Sequence, residues 1–194
     1  MKYDEGGPEP ATQHDAKSVV GVPGSARQQD GAVQRSEAIF AAGCFWGVQF
    51  YFDQVPGVIK TEVGYIGGHL DNPSYEAVRT HTTGHAEAVK ITFDPKKVSY
   101  DALLKQFFRM HDATQLNRQG PDVGDEYRSA IFYLNAGQKK QAQDMINMHN
   151  QYKKDGKIVT TVEKATTFWP AELEHQKFTQ RTGVGMCHRD YAQV

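Results

Sequence analysis

Two stretches of strict alternation constrain what this chain can fold into. In VIKTEVGYI, Ile59, Thr61, Val63 and Tyr65 fall on one face and Lys60 and Glu62 on the other. In AEAVKITFD, Glu87, Val89, Ile91 and Phe93 share a face opposite Ala88, Lys90 and Thr92. A period of two marks a half-buried β-strand. Other segments behave differently. CFWGVQFYF is apolar nearly all round, which predicts a buried helix beginning at or near Cys44 and ended by Pro56-Gly57. Ser99 can cap a helix whose apolar stripe is Tyr100, Leu103, Leu104, Phe107 and Phe108. Ala142, Met145, Ile146, His149 and Tyr152 recur at helical spacing within residues 137–154, and EAIFAAG, SAIFYL and KIVTTVE read as further strands. The order is strand, helix, strand, strand, helix, strand, then helix and strand, and its beginning is the split βαβ pattern. The expected fold is α+β: a ferredoxin-like α/β sandwich core with long loops, a short helix around residues 171–178 and an irregular C-terminal tail. Residues 1–35 are rich in Gly, Pro, Gln, Asp and Ser, with one apolar island at Val19 to Val22. They predict a disordered extension, leaving 36–194 as a single folded domain.

Composition excludes several function classes. Lys and Arg number 22 against 23 Asp and Glu, a formal net charge of -1, so nothing argues for nucleic acid or a membrane surface as partner. No apolar run approaches the ~20 residues of a membrane span. The beginning, MKYDEGGPEP, carries acids and prolines where a signal peptide would be apolar, so a cytoplasmic location is expected. Two cysteines, Cys44 and Cys187, are too few for a disulfide-stapled domain or a four-cysteine zinc site. His69, His81 and His85 fall close together, but no helix aligns them and Gly84 intervenes, so no metal site is expected. His188, beside Cys187, is a looser candidate.

The chemistry-bearing stretch is GCFWG, residues 43–47. Glycines on both sides of a thiol and two large rings suggest a tight turn that presents them at the end of an element. A cysteine opening a helix sits among free backbone N–H groups at the positive end of the dipole, and both favour thiolate. Against this stands a buried, inert cysteine. Glu87 lies in line with three core side chains, where burial disfavours the charged form and a neutral carboxylic acid can donate a proton. Its place at the strand's start also allows it simply to reach water. Tyr75 in NPSYE and Tyr127 in DEYR either cover the surface with their rings or donate hydrogen bonds into a site. Asp122, in GPDVGDE, is by type a turn residue.

Taken in order, AAGCFWGVQFYF, GVIKTEVGYIGG, NPSYEAV, TGHAEAVKITFDP, NRQGPDVGDEYRSAIFY and FWPAELEHQKF resemble the peptide-methionine (S)-S-oxide reductases, the methionine sulfoxide reductase A family, over residues 37–180. The resemblance implies a role for each matching residue. Cys44 is the nucleophile. Phe45 and Trp46 wall the pocket for the substrate's S-methyl group. Glu87 protonates the sulfoxide oxygen, Tyr75 and Tyr127 bind it, and Asp122 orders the site. It further implies reduction of the S epimer in oxidised proteins or peptides through a Cys44 sulfenic acid, a Cys44–Cys187 disulfide, and recycling by thioredoxin. No cofactor or metal is implied, and a monomer is expected. The sequence departs from the family pattern twice. Glu126 stands where the family commonly has Gln, and the tail GVGMCHRD around Cys187 differs from the glycine-rich tails typical of the family. Three other readings compete. In a cysteine hydrolase, Gly-Cys-x-Trp is similar to the papain surroundings, with His175 and His188 at the ~130–150-residue offset, but no Asn follows His175. A thiol peroxidase would want a thioredoxin-like βαβ context. The third is a peptide-binding module with an inert thiol.

Overall fold

The computed structural model describes residues 34–152 and 156–185. The extension expected over residues 1–35 falls almost wholly outside them, as do Cys187 and His188. Among the described residues, no helix is long and apolar enough to cross a membrane.

The chain runs β1 (Ser36–Ala42), α1 (Phe45–Asp53), β2 (Val58–Ile66), α2 (Tyr75–Val78), β3 (Ala86–Phe93), α3 (Tyr100–Met110), β4 (Arg118–Gln119) and β5 (Asp122–Val123). It continues through β6 (Ser129–Tyr133), α4 (Ala136–Tyr152), β7 (Thr161–Lys164), β8 (Trp169–Pro170) and α5 (Phe178–Thr182). The main sheet has the order β7-β6-β1-β3-β2-β8, and β4 and β5 form a separate small hairpin. Its four inner strands, β6-β1-β3-β2, pair antiparallel throughout, which is the ferredoxin-like arrangement expected from the element order. β7 adds to β6 in parallel, and β8 adds to β2 opposite Gly64 and Tyr65.

The two sheet faces are covered differently. On one, Phe40 of β1 packs its ring 5.6 Å from Phe52 of α1, 5.8 Å from Tyr100 and 5.2 Å from Phe107 of α3. Val89, Ile91 and Phe93 of β3 and Ala142 and Met145 of α4 belong to the same cluster, so the helices stack on this face. The other face is built of small residues, Ala41, Ala86, Ala88 and Ala130, with Ile39, Ile66 and Phe132, and Phe168 from the loop before β8 lies over it. The alternation that buries Val89 and Ile91 under the helices turns Glu87 to the same side.

Local differences from the sequence reading have identifiable causes. Ile59 is 45% exposed because the β2–β3 register shifts between Val58 and Lys60, which throws it off the buried face. Tyr152 is exposed where the helical spacing placed it inward, and the strand expected over KIVTTVE shortens to Thr161–Lys164. The helix expected around residues 171–178 is instead a 3-10 turn, Leu173–His175, separated from α5 by Lys177 at φ 55. The side chain of Gln176 explains the break. Its Oε1 accepts the Val63 amide at 3.0 Å and its Nε2 donates to the Val63 carbonyl at 2.9 Å, so it takes a partner's place on the edge of β2 just past β8. The segment is held extended along the sheet rather than coiled.

Candidate active site

The junction of β1 and α1 builds the site. Gly43 turns the chain at φ 90, a conformation that side chains resist. Cys44 follows as the N-cap residue of α1, 7% exposed. The helix has neither a capping side chain of its own nor an acid in its first turn. The missing acceptor comes from the sheet: Glu87, 1% exposed, accepts the Phe45 amide on Oε2 at 3.0 Å. A buried carboxyl on β3 therefore caps the helix that begins beside the thiol. This removes the reading of Glu87 as a strand-end residue reaching water.

The apolar wall comes from α1 and the chain after β8. Phe45 is fully buried; its ring lies 6.4 Å from Trp46 and 6.4 Å, stacked, from Tyr75. Trp46 stacks on Phe178 at 4.0 Å, and its Nε1–H donates to His175 Nδ1 at 3.2 Å. Burial holds His175 below the ordinary imidazole range, against the opposing pull of Glu172 and Glu174. Its Nδ1 accepts from Trp46, so that nitrogen is not offered to Cys44 as the general base of a cysteine hydrolase. Here it orients the indole.

Tyr75 opens α2 behind the Ser74 cap and lies 4.2 Å from the His175 ring. Glu172 fixes it: Oε1 accepts the Tyr75 amide and Oε2 the Tyr65 hydroxyl, both at 2.8 Å. Burial works against the Glu172 anion, yet the hydrogen bonds from the Tyr75 amide and the Tyr65 hydroxyl prevail and hold it below the ordinary carboxylate range. Burial, then the neighbouring Glu87 and Cys44, push the Tyr75 hydroxyl up to about 12. Burial, then Glu87 and Tyr75, raise that of Tyr127, and Glu126 and Asp122 add to the effect. Both phenols therefore keep their protons at neutral pH and act as donors. Asp122 sits in the β4–β5 hairpin, near enough for Tyr127 to feel its charge.

The structure thus brings Cys44, Phe45, Trp46, Glu87, Tyr75 and Tyr127 together at the tip of α1, with Asp122 behind Tyr127. Sequence reasoning did not single out Glu172 or Tyr65. The only signal for Glu172 was an acid three positions before a histidine in AELEHQKF. Glu126, where the family commonly has Gln, is buried at 1% exposure, and its Oε2 accepts from His81 Nδ1 at 2.7 Å. With Asp125 these two bring possible metal-ligating atoms within 4.8 Å of one another, and His81 Nδ1 is bonded to Glu126.

Glu172 gives a testable pH dependence. A carboxyl whose pKa is lower folded than unfolded stabilises the fold above its unfolded value, and that contribution fades as pH falls through the folded value. Glu172→Gln is therefore expected to lower the melting temperature at pH 7, with the difference from wild type closing below about pH 4. Thermal melts of both proteins between pH 3 and 7 check this, and a gap that stays constant across the range would contradict it.

A ferredoxin-like α+β domain here holds a thiol at a helix tip, beside a buried carboxyl and among stacked aromatic rings, an arrangement suited to a thiol enzyme. The family model described as "Peptide methionine sulfoxide reductase" matches residues 36–194. The MsrA of Methanothermobacter thermautotrophicus is 49% identical over 156 residues, covering 78% of this chain and 90% of that protein. Among solved structures, methionine sulfoxide reductase A of Corynebacterium diphtheriae superposes with TM-score 0.74 at 32% identity, covering 84% of this chain and 80% of the other. Reduced Mxr1 of Saccharomyces cerevisiae gives 0.73 at 30%, covering 80% and 91%. Mxr1 has also been solved in complex with Trx2; at 22% identity that likeness carries the fold alone. The chain belongs to the peptide methionine sulfoxide reductase family and is an oxidoreductase that reduces methionine sulfoxide.

Proposed function

We propose that Cys44 attacks the sulfoxide sulfur while Glu87 gives its proton to the oxygen. The observation that carries this reading is the 3.0 Å bond from the amide following Cys44 to the buried Glu87 carboxyl, which sets nucleophile and acid side by side at one helix tip. Two anions so close would oppose each other, so a thiolate on Cys44 favours a protonated Glu87. Tyr75 and Tyr127 donate hydrogen bonds to the oxygen as it gains charge. Phe45 and Trp46 clasp the S-methyl group and exclude water, and Asp122 steadies Tyr127. The oxygen, carrying the proton from Glu87, then passes to Cys44 Sγ: the bond between the two sulfurs and the substrate's sulfur–oxygen bond break, a Cys44 S–O bond forms, and methionine leaves, so that Cys44 is oxidised to a sulfenic acid by giving up the two electrons that reduce the sulfoxide. The substrate on this reading is the S epimer of methionine sulfoxide in an oxidised protein or peptide.

Recycling is assigned to Cys187. Its thiol would condense with the sulfenic acid, forming the Cys44–Cys187 disulfide and releasing water. An external dithiol of the thioredoxin kind would then reduce the disulfide and itself be oxidised. Two features support this. A Cβ added at Gly185 would stand 3.1 Å from the Trp46 ring, so the chain already runs along the site two residues before Cys187. In addition, Mxr1, which in its reduced form is 30% identical to this chain, has been solved in complex with Trx2. Cys187→Ser is expected to release about one methionine per enzyme and then stop with thioredoxin as reductant, because the sulfenic acid lacks its partner thiol. Quenched-flow methionine counting with mass spectrometry of the thiols tests it; undiminished turnover would remove Cys187 from the cycle.

A further inference from the structure

The two tyrosines arrive on separate segments. Tyr75 opens α2, which runs on through a turn to His81, where the His81 amide donates to the Val78 carbonyl at 3.1 Å. Tyr127 ends the 3-10 turn Asp125–Tyr127, and Glu126 is its direct neighbour. The 2.7 Å bond from His81 Nδ1–H to the Glu126 carboxylate joins these segments by their side chains.

The surroundings are shaped to this bond. His81 holds a left-handed backbone at φ 59, unusual for a residue with a Cβ. Gly124, at φ 152, lies so close that an added Cβ would overlap Glu126 Oε2 and stand 2.6 Å from His81 Nδ1. Glu126 is buried, and a buried carboxylate that loses its partner is strongly disfavoured. Arg128 ties the same loops along the backbone, donating to the Gly84 and Asp125 carbonyls at 3.1 and 2.9 Å. The side-chain bond closes them at the tyrosine end.

We propose that His81 and Glu126 form a latch between the two tyrosine-bearing segments, making both positioning residues that set the gap in which the sulfoxide oxygen is held. The proposal rests on the reading that Tyr75 and Tyr127 bind that oxygen. The latch works by one hydrogen bond, which Gln at position 126 could also accept.

The test measures methionine formation from a methionine sulfoxide peptide in His81→Ala, Glu126→Ala, Glu126→Gln and the double alanine variant, with iodoacetamide alkylation of Cys44 in parallel. His81→Ala and Glu126→Ala are expected to lower kcat/KM about tenfold, the scale of a lost hydrogen bond to a charged group. The double variant should lose no more than either single one, Glu126→Gln should stay within threefold of wild type, and Cys44 alkylation should be unchanged within twofold. Wild-type kinetics in His81→Ala, additive losses in the double variant, or Glu126→Gln as slow as Glu126→Ala would each overturn the latch. His81 is half exposed, so His81→Ala carries the test if Glu126→Ala does not fold. Tyr75→Phe and Tyr127→Phe separate the two levels: if they react at the wild-type rate, the tyrosine reading itself fails, and if they are slow while His81→Ala is not, only the latch does.

Discussion

Cys44→Ser is expected to remove sulfoxide reduction altogether, a fall on the order of 10⁶-fold, the scale reached when an enzyme loses its nucleophile. A serine hydroxyl at the same helix tip stays protonated and cannot take up the oxygen as a sulfenic acid does. The substitution is expected to keep the helix start, because Cys44 stands at the N-cap of α1. Serine is among the best N-cap residues, so α1 should form at least as well. Lost activity with an unchanged or raised melting temperature therefore assigns the effect to chemistry. The measurement is methionine release in a single turnover beside a thermal melt; residual reduction at even a thousandth of the wild-type rate would point to a different nucleophile.

Legibility followed sequence separation. The strand–turn–helix at Cys44 is local, and Gly43, the apolar run and the break after Asp53 all lie within a few residues of it. Glu87 could be assigned to the helix-covered face because alternation along β3 is a property of one short strand. What that alternation could not supply is the partner: the Phe45 amide is 42 positions away, and only the β1–β3 pairing brings the two together. Glu172 and His175 stayed hidden for the same reason. They reach Tyr65, Tyr75 and Trp46 from 97 to 129 positions away, on a segment whose side chains follow neither period. The depth of Glu126 was not legible because loops carry no periodicity from which burial can be read. Its depth comes from the turn at Gly124 and from His81, neither of which leaves a pattern in the residues around it. Ile59 shows the opposite failure, a regular alternation broken by a bulge that only strand pairing reveals.

Glu87→Gln is expected to slow methionine formation by about 10²–10⁴-fold, the usual loss when a general acid is removed, while leaving the fold in place. The distinction matters because Glu87 has two duties in this structure, as proton source and as acceptor for the first amide of α1. Glutamine keeps the second through its Oε1 and loses only the first. Alanine loses both, and the stranded buried N–H should cost about 1–3 kcal/mol of stability. The two variants therefore separate acid chemistry from helix capping: both slow, with only alanine lowering the melting temperature. Cys44 in Glu87→Gln should still react with iodoacetamide at least as fast as in wild type, since a neutral amide cannot oppose a neighbouring thiolate as a carboxylate does. Single-turnover rates, alkylation rates and melts on the three proteins decide it. A Glu87→Gln rate within twofold of wild type would leave Glu87 a capping residue only, and the proton for the sulfoxide oxygen would then have to come from Tyr75 or Tyr127, whose hydroxyls this site holds firmly protonated.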